Sequence, residues 1–295
     1  MTDAARERKN IMIKLYTDTS ANLPHELVIN ESIEIIPFGY TVNGKMPDQT
    51  LPFDGVSFYD SMRAGADVRT SMINPENYKN AFEKSLANGD DVIYVGMSGG
   101  ISGSAHSAAL AADELREIYA DRKIAVIDTL AASLGEGLQV IRAAKLVKAG
   151  EDFEKICKLL ESEKKCMCQY FTVDDLKYLH RGGRLSRVAA AIGSLLNIKP
   201  ILTGDEGGRI VSCGKVRGKK AALSELANRY AKLTADRRAT IGIAHGDDPA
   251  GAAQLIELLR EKGFDGECIN VCYEPVTGAH VGPGTVALFF MGIHK

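Results

Sequence analysis

Side chains able to hold an anion recur in this chain at glycine-rich turns. The run SGGISGSAHSAA, Ser98 to Ala109, follows an apolar strand signal and opens a helix. Ser102 and Gly103 therefore stand where a helix start offers unpaired backbone N–H groups and a partial positive charge. Gly99, Gly100 and Gly103 let a ligand come close to the backbone. Thr70 and Ser71 add hydroxyls ahead of Asn74-Pro75, and His280 lies between Gly278 and Gly282-Pro283-Gly284. Arg181 and Arg184 bracket Gly182-Gly183, a turn that presents both guanidinium groups. Ser186 then reads as the cap of a helix whose apolar side is Val188, Ala189, Ile192, Leu195 and Leu196. Hydroxyls at a helix start suit a carboxylate or phosphate, and arginine suits phosphate through paired N–H donors.

Each group also has a plain structural reading. Ser102 can cap its helix, Thr70 and Ser71 can close local turns, and the arginines can make ion pairs. A nucleotide loop of the Gly-Lys-Ser/Thr type is missing. Gly100-Ile101-Ser102-Gly103-Ser104 brings its second glycine one residue too soon for a nucleophile elbow. Asp18 and Asp128 each end an apolar run and are followed by hydroxyl residues, so they read as turn caps rather than metal ligands. His106 reads as helix surface or pocket wall, and His245 as a weaker candidate at a strand end. Cys166 and Cys168 are one residue apart and the other four cysteines are scattered, which is no zinc pattern. Reduced, buried thiols are expected.

The elements that must position these residues alternate between strand and helix signals, which is the mark of α/β layering. Strands are expected at Ile11–Tyr16, Ile33–Phe38, Gly39–Val42, Asp91–Met97, Ile124–Asp128, Cys168–Val173, Ile198–Leu202, Ile210–Lys215, Ala239–His245, Glu267–Cys272 and Thr285–Met291. Asn43-Gly44 is a hairpin signal. Helices are expected at Val56–Arg63, Pro75–Ala87, Ser102–Tyr119, Ser133–Ala149, Lys219–Leu233 and Pro249–Lys262, with Thr70 and His280 on loops. A length of 295 residues suggests two domains, placed at 1–165 and 166–295. A net charge of -2 gives no electrostatic case for nucleic acid. The polar start MTDAARERKN lacks a secretory apolar core, and no window nears the roughly 18 apolar residues of a membrane span. A soluble, cytoplasmic protein is expected.

Four constellations stand in fixed order: IKLYTDTSANLP; Thr70-Ser71 with Asn74-Pro75 and then SGGISGSAHSAA; LKYLHRGGRLSRVAAAIGSLLNIKPIL; and PVTGAHVGPGTVAL. Together they resemble the DegV family of bacterial fatty-acid-binding proteins, from about Ile13 to Gly292. The resemblance implies a two-domain α/β fold of mainly parallel sheets flanked by helices, enclosing one long-chain fatty acid. It implies that Thr70 and Ser102 hold the carboxylate, with Ser71, Gly103 and His280 beside it. It also implies a role as the acyl-binding subunit of a fatty-acid kinase, offering the carboxylate to an ATP-binding partner that makes an acyl phosphate. No catalytic residue, cofactor or metal of its own is expected, and Arg181 and Arg184 would face the partner or the phosphate. The rival expectation is an independent phosphotransferase or hydrolase using Ser102 and His280. The chain departs from the family pattern in reading Thr-Ser-Met-Ile-Asn-Pro for Thr-Ser-Gln-Pro, Gly99 for a serine and His106 for a glutamine.

Overall fold

The computed structural model describes residues 11–48, 52–185 and 197–293; the helix expected after Ser186 lies outside them. The first part runs β1 (Ile13–Asp18), α1 (His25–Asn30), β2 (Ile33–Ile36), β3 (Gly39–Val42), α2 (Gly55–Arg63) and β4 (Val68–Ser71). It continues through α3 (Pro75–Ala87), β5 (Asp91–Gly96), α4 (Ser104–Ile118), β6 (Ile124–Asp128), α5 (Leu134–Lys148) and α6 (Phe153–Glu163). Four of its strands make a wholly parallel sheet in the order β2-β1-β5-β6. Strand β5 is buried at every position because its two faces meet different helix layers. Val92 and Tyr94 pack with Tyr78, Phe82 and Leu115 of α3 and α4, whereas Ile93 and Val95 pack with Val140, Ile156 and Leu160 of α5 and α6. Local chemistry sets the helix starts: Asn74 accepts from Asn77 N with Pro75 in the first turn, and Asp152 accepts from Glu154 N and Lys155 N.

The second part runs β7 (Met167–Thr172), α7 (Lys177–Arg181), β8 (Ile198–Gly204), β9 (Ile210–Arg217) and α8 (Lys219–Leu233). It ends with β10 (Ile241–His245), α9 (Pro249–Glu261), β11 (Cys268–Cys272), α10 (Pro275–Val281) and β12 (Val286–Met291). Its sheet has the order β11-β10-β12-β7-β8-β9. The expectation of parallel sheets holds throughout the first sheet, but in the second only β10 and β11 pair in parallel. The short turn between β8 and β9 leaves no room for a crossover, so that pair must be antiparallel. Helices α8 and α9 cover the outer face with Leu223, Leu226, Tyr230, Leu255 and Leu259.

Helix α5 is buried nearly all round, the property of a helix enclosed by protein on every side. Val140, Ala143 and Ala144 pack on the first sheet, and Leu134, Leu138 and Ile141 pack toward the second. Gly242 of β10 permits this approach, since a Cβ there would lie 2.6 Å from the Leu134 Cβ. The two sheets thus share one helix. Between them, at the carboxyl ends of the first sheet's strands, lies a cavity touched by Phe38, Met97 and Ala131. This is the usual ligand position in an open α/β sheet. No helix among the described residues is long and apolar enough to cross a membrane.

Candidate functional site

Thr70 lies not in a loop but on β4, which pairs antiparallel with β3 and sets Thr70 opposite Tyr40. Successive strand residues face opposite sides, so Thr70 and Ser71 part company. Thr70 turns to the cavity; Ser71 is exposed, with its hydroxyl over Gly39 of β3 and outside the cavity wall. Of the two hydroxyls, that of Thr70 belongs to the residue on the cavity wall.

The segment expected as a glycine-rich loop forms α10. Glu274 caps it, accepting from Val276 N and Thr277 N, and Pro275 occupies the first turn. That helix delivers His280 to Thr70, with His280 Nε2 2.8 Å from Thr70 Oγ1. Gly182 packs against the other side of the ring, where a Cβ would lie 2.2 Å from His280 Nδ1. Burial first, then the charges of Arg184 and Arg181, hold the imidazole down at about 4. At neutral pH the ring is uncharged and offers hydrogen bonds only.

Ser102 precedes α4, whose N-cap is Gly103 rather than Ser102. Its hydroxyl accepts from Ser104 N at 3.2 Å and lies 3.1 Å from Ser104 Oγ. Gly103 is exposed beside Met72, and Ser102 is buried on the cavity wall. Thr70, Ser102, His280 and Arg184 all line this cavity. Apolar side chains make most of the remaining wall, among them Phe38, Met72, Met97, Phe171, Val276 and Phe289.

Thr70, Arg184 and His280 also border a second, outer hollow, lined further by Arg69, Arg181 and Gly182. Arg184 donates to Ile101 O at 3.0 Å and Gly182 O at 2.5 Å, tying the Gly-Gly turn to the Ser102 loop. Arg181 lies over the Tyr178 ring, 5.6 Å from its centre. Among the described residues no carboxylate pairs with Arg181 or Arg184. The polar end of the cavity thus opens onto an arginine-bearing vestibule.

Ser102 and His280 are not hydrogen-bonded to each other: the Ser102 hydroxyl pairs with Ser104, and His280 Nε2 with Thr70. His106 is exposed, and His245 Nδ1 accepts from Asp248 N away from the cavity. Asp128 caps as expected, accepting from Leu130 N and Gly99 N. Asp18 likewise accepts from Ser20 N, but a second carboxylate joins it, contrary to expectation. Ser20 Oγ bonds both Asp18 and Glu136, Thr17 donates to Glu136, and Tyr94 donates to Asp18. The one sequence sign was an acidic residue inside the apolar α5. No group of three or more His, Cys, Asp or Glu among the described residues is placed to hold a metal.

Burial, then the charge of Asp18, pushes the Glu136 carboxyl well above its ordinary value. A carboxyl whose folded pKa is raised stabilises the fold at low pH and loses that contribution as pH rises through the folded value. Glu136→Gln removes this loss. Its melting temperature relative to the native chain should climb by several degrees between pH 4 and pH 8, measured by calorimetry. A difference independent of pH would show that Glu136 ionises freely.

Residues 12–292 match the DegV family, described as uncharacterised proteins. A DegV domain-containing protein of Clostridium perfringens is 37% identical over 289 residues, covering 95% of this chain and 98% of the relative. The structure resembles a DegV family protein from Thermus thermophilus, described for its fatty-acid binding, with TM-score 0.86 and 29% identity over 96% of this chain and all of that one. It also resembles Bacillus subtilis DegV, described as a fatty acid binding protein, with TM-score 0.81 and 32% identity over 95% of this chain and 99% of that one. The family match and the relatives' identity agree, and the chain belongs to the DegV family.

Proposed function

We propose that this protein binds one long-chain fatty acid, with the hydrocarbon in the cavity and the carboxylate at Thr70, Ser102 and His280. The observation that carries the reading is a mainly apolar cavity that Thr70, His280 and the residue before α4 line together. Burying about 14 methylenes at ~0.8 kcal/mol each supplies a gross force near 11 kcal/mol, ample for capture after ordering costs. The carboxylate then needs only hydroxyls, a neutral imidazole and the N–H groups at Gly103 and beyond. The fatty-acid-binding relatives support the same reading.

The vestibule supports a further step. A kinase partner reaching Arg181 and Arg184 would meet the carboxylate at its exposed end, and guanidinium groups without a carboxylate partner are free to steady a transferred phosphate. In this proposal the chain is a cytoplasmic carrier subunit with residues 1–165 and 166–295 as its domains. It supplies no catalytic group, cofactor or metal. Ser102 and His280 bond to Ser104 and Thr70 rather than to each other, which favours a carrier over a hydrolase.

Denaturing extraction followed by mass spectrometry should find near-stoichiometric fatty acid in the purified protein. Reconstitution with ATP and a fatty-acid kinase should yield acyl phosphate, lowered more than fatty-acid binding by Arg181→Ala and Arg184→Ala. Lipid-free protein that takes up no added palmitate or oleate would sink the binding reading. ATP turnover by the isolated chain would sink the carrier reading.

A further inference from the structure

Ser133 occupies the N-cap position of α5 but does not cap it. Its backbone carbonyl accepts from Glu136 N at 2.9 Å and Gly137 N at 2.8 Å, while its side chain makes no cap bond. At four other helix starts Asp54, Asn74, Asp152 and Asp248 use their side chains for this purpose. The backbone gives the reason. Ser133 has φ 53° and ψ -140°, a left-sided conformation that favours glycine, instead of the extended one a capping serine needs. Its residue is 1% exposed, its hydroxyl has no hydrogen-bond partner, and it lines the cavity. A buried unpaired hydroxyl is unfavourable, and so is a non-glycine residue in this conformation. Glycine would relieve both.

A second polar side chain stands near this residue on the cavity wall. Gln169 shares the cavity wall, donates to Leu130 O at 2.9 Å, and keeps its Oε1 over Gly135, two residues past Ser133. Gln169 pairs with Phe289 and lies three residues back along β7 from Thr172, about 10 Å of strand from the end that leads to α7 and Arg184. The cavity wall therefore carries a second polar point beyond Phe171. Among the described residues no cation lines the cavity beside Ser133 and Gln169, so a second carboxylate on the ligand would need a counter-charge there. A neutral oxygen would not.

We propose that the inner cavity reads a hydroxyl or oxo group partway along the bound acyl chain, with Ser133 as the residue that bonds it and Gln169 beside it. This inference rests on the fatty-acid reading above. It is tested with the full chain, stripped of lipid, by calorimetric titration of stearic acid and of stearic acid bearing one mid-chain hydroxyl. The native chain should bind the hydroxylated acid about five- to thirtyfold more tightly. Ser133→Gly, which suits the backbone, should bring that ratio to about one, as should Ser133→Ala. Equal or weaker binding of the hydroxylated acid by the native chain overturns the inference while leaving the fatty-acid reading intact. A ratio unchanged in the folded variants also overturns it. Failure to bind either acid overturns both.

Discussion

Thr70→Val combined with Ser102→Ala should weaken fatty-acid affinity on the order of 100-fold or more while the protein stays folded. Each hydroxyl offered to a carboxylate is worth about 1.5–3 kcal/mol, and about 1.4 kcal/mol corresponds to tenfold in affinity. The two residues come from different elements, β4 and the turn before α4, yet both line the polar end of one cavity. Losing both leaves His280 without its 2.8 Å partner and the start of α4 without its first hydroxyl. Displacement of a fluorescent fatty acid measures the change, and calorimetry checks the fold. Unchanged affinity in a folded double variant would place the head group elsewhere.

Gly100→Ala should destabilise the protein by about 3 kcal/mol and empty the cavity. A Cβ at Gly100 would lie 2.3 Å from Gly207 O, 2.8 Å from Gly208 C and 2.9 Å from Arg209 N. All three are backbone atoms of the turn between β8 and β9, which cannot swing aside as a flexible side chain can. Ser98 Oγ donates to Gly208 O at 3.0 Å across the same joint, so the loop after β5 and this turn interlock at the cavity's side. Overpacking of such a contact costs about 1–3 kcal/mol and separates the two sheets' loops when it cannot relax. Gly150→Ala is the control: its φ is 73° with nothing within 4 Å of an added Cβ, so only about 1–2 kcal/mol of backbone strain is expected. Thermal unfolding and retained lipid report both variants. A Gly100→Ala protein as stable as the native chain, still filled, would show that the joint yields.

How much of this was legible beforehand depended on the range of the interaction. Pro75–Ala87 and Lys219–Leu233 are helices as expected, and Ile124–Asp128 is a strand as expected, because capping residues and apolar periodicity act within a few positions. Thr70 was expected in a loop because β4 exists only through pairing with β3, nearly thirty residues earlier. Helix α10 hid behind its glycines, although Glu274 and Pro275 carried a start signal.

The sequence by itself determined the alternation of elements, the helix starts, and Thr70, Ser102, His280, Arg181 and Arg184 as residues of interest, because residue type and local spacing are one-dimensional properties. Only the tertiary structure decided that Thr70 meets His280 across 210 positions and that Ser71 faces away. It alone brought Asp18 and Glu136 to one serine, made most pairs of the second sheet antiparallel, and left the Ser133 hydroxyl unpaired on a cavity wall. Those outcomes depend on which distant surfaces pack and on which side of a strand each residue falls. A one-residue change of register reverses that side without altering any local signal.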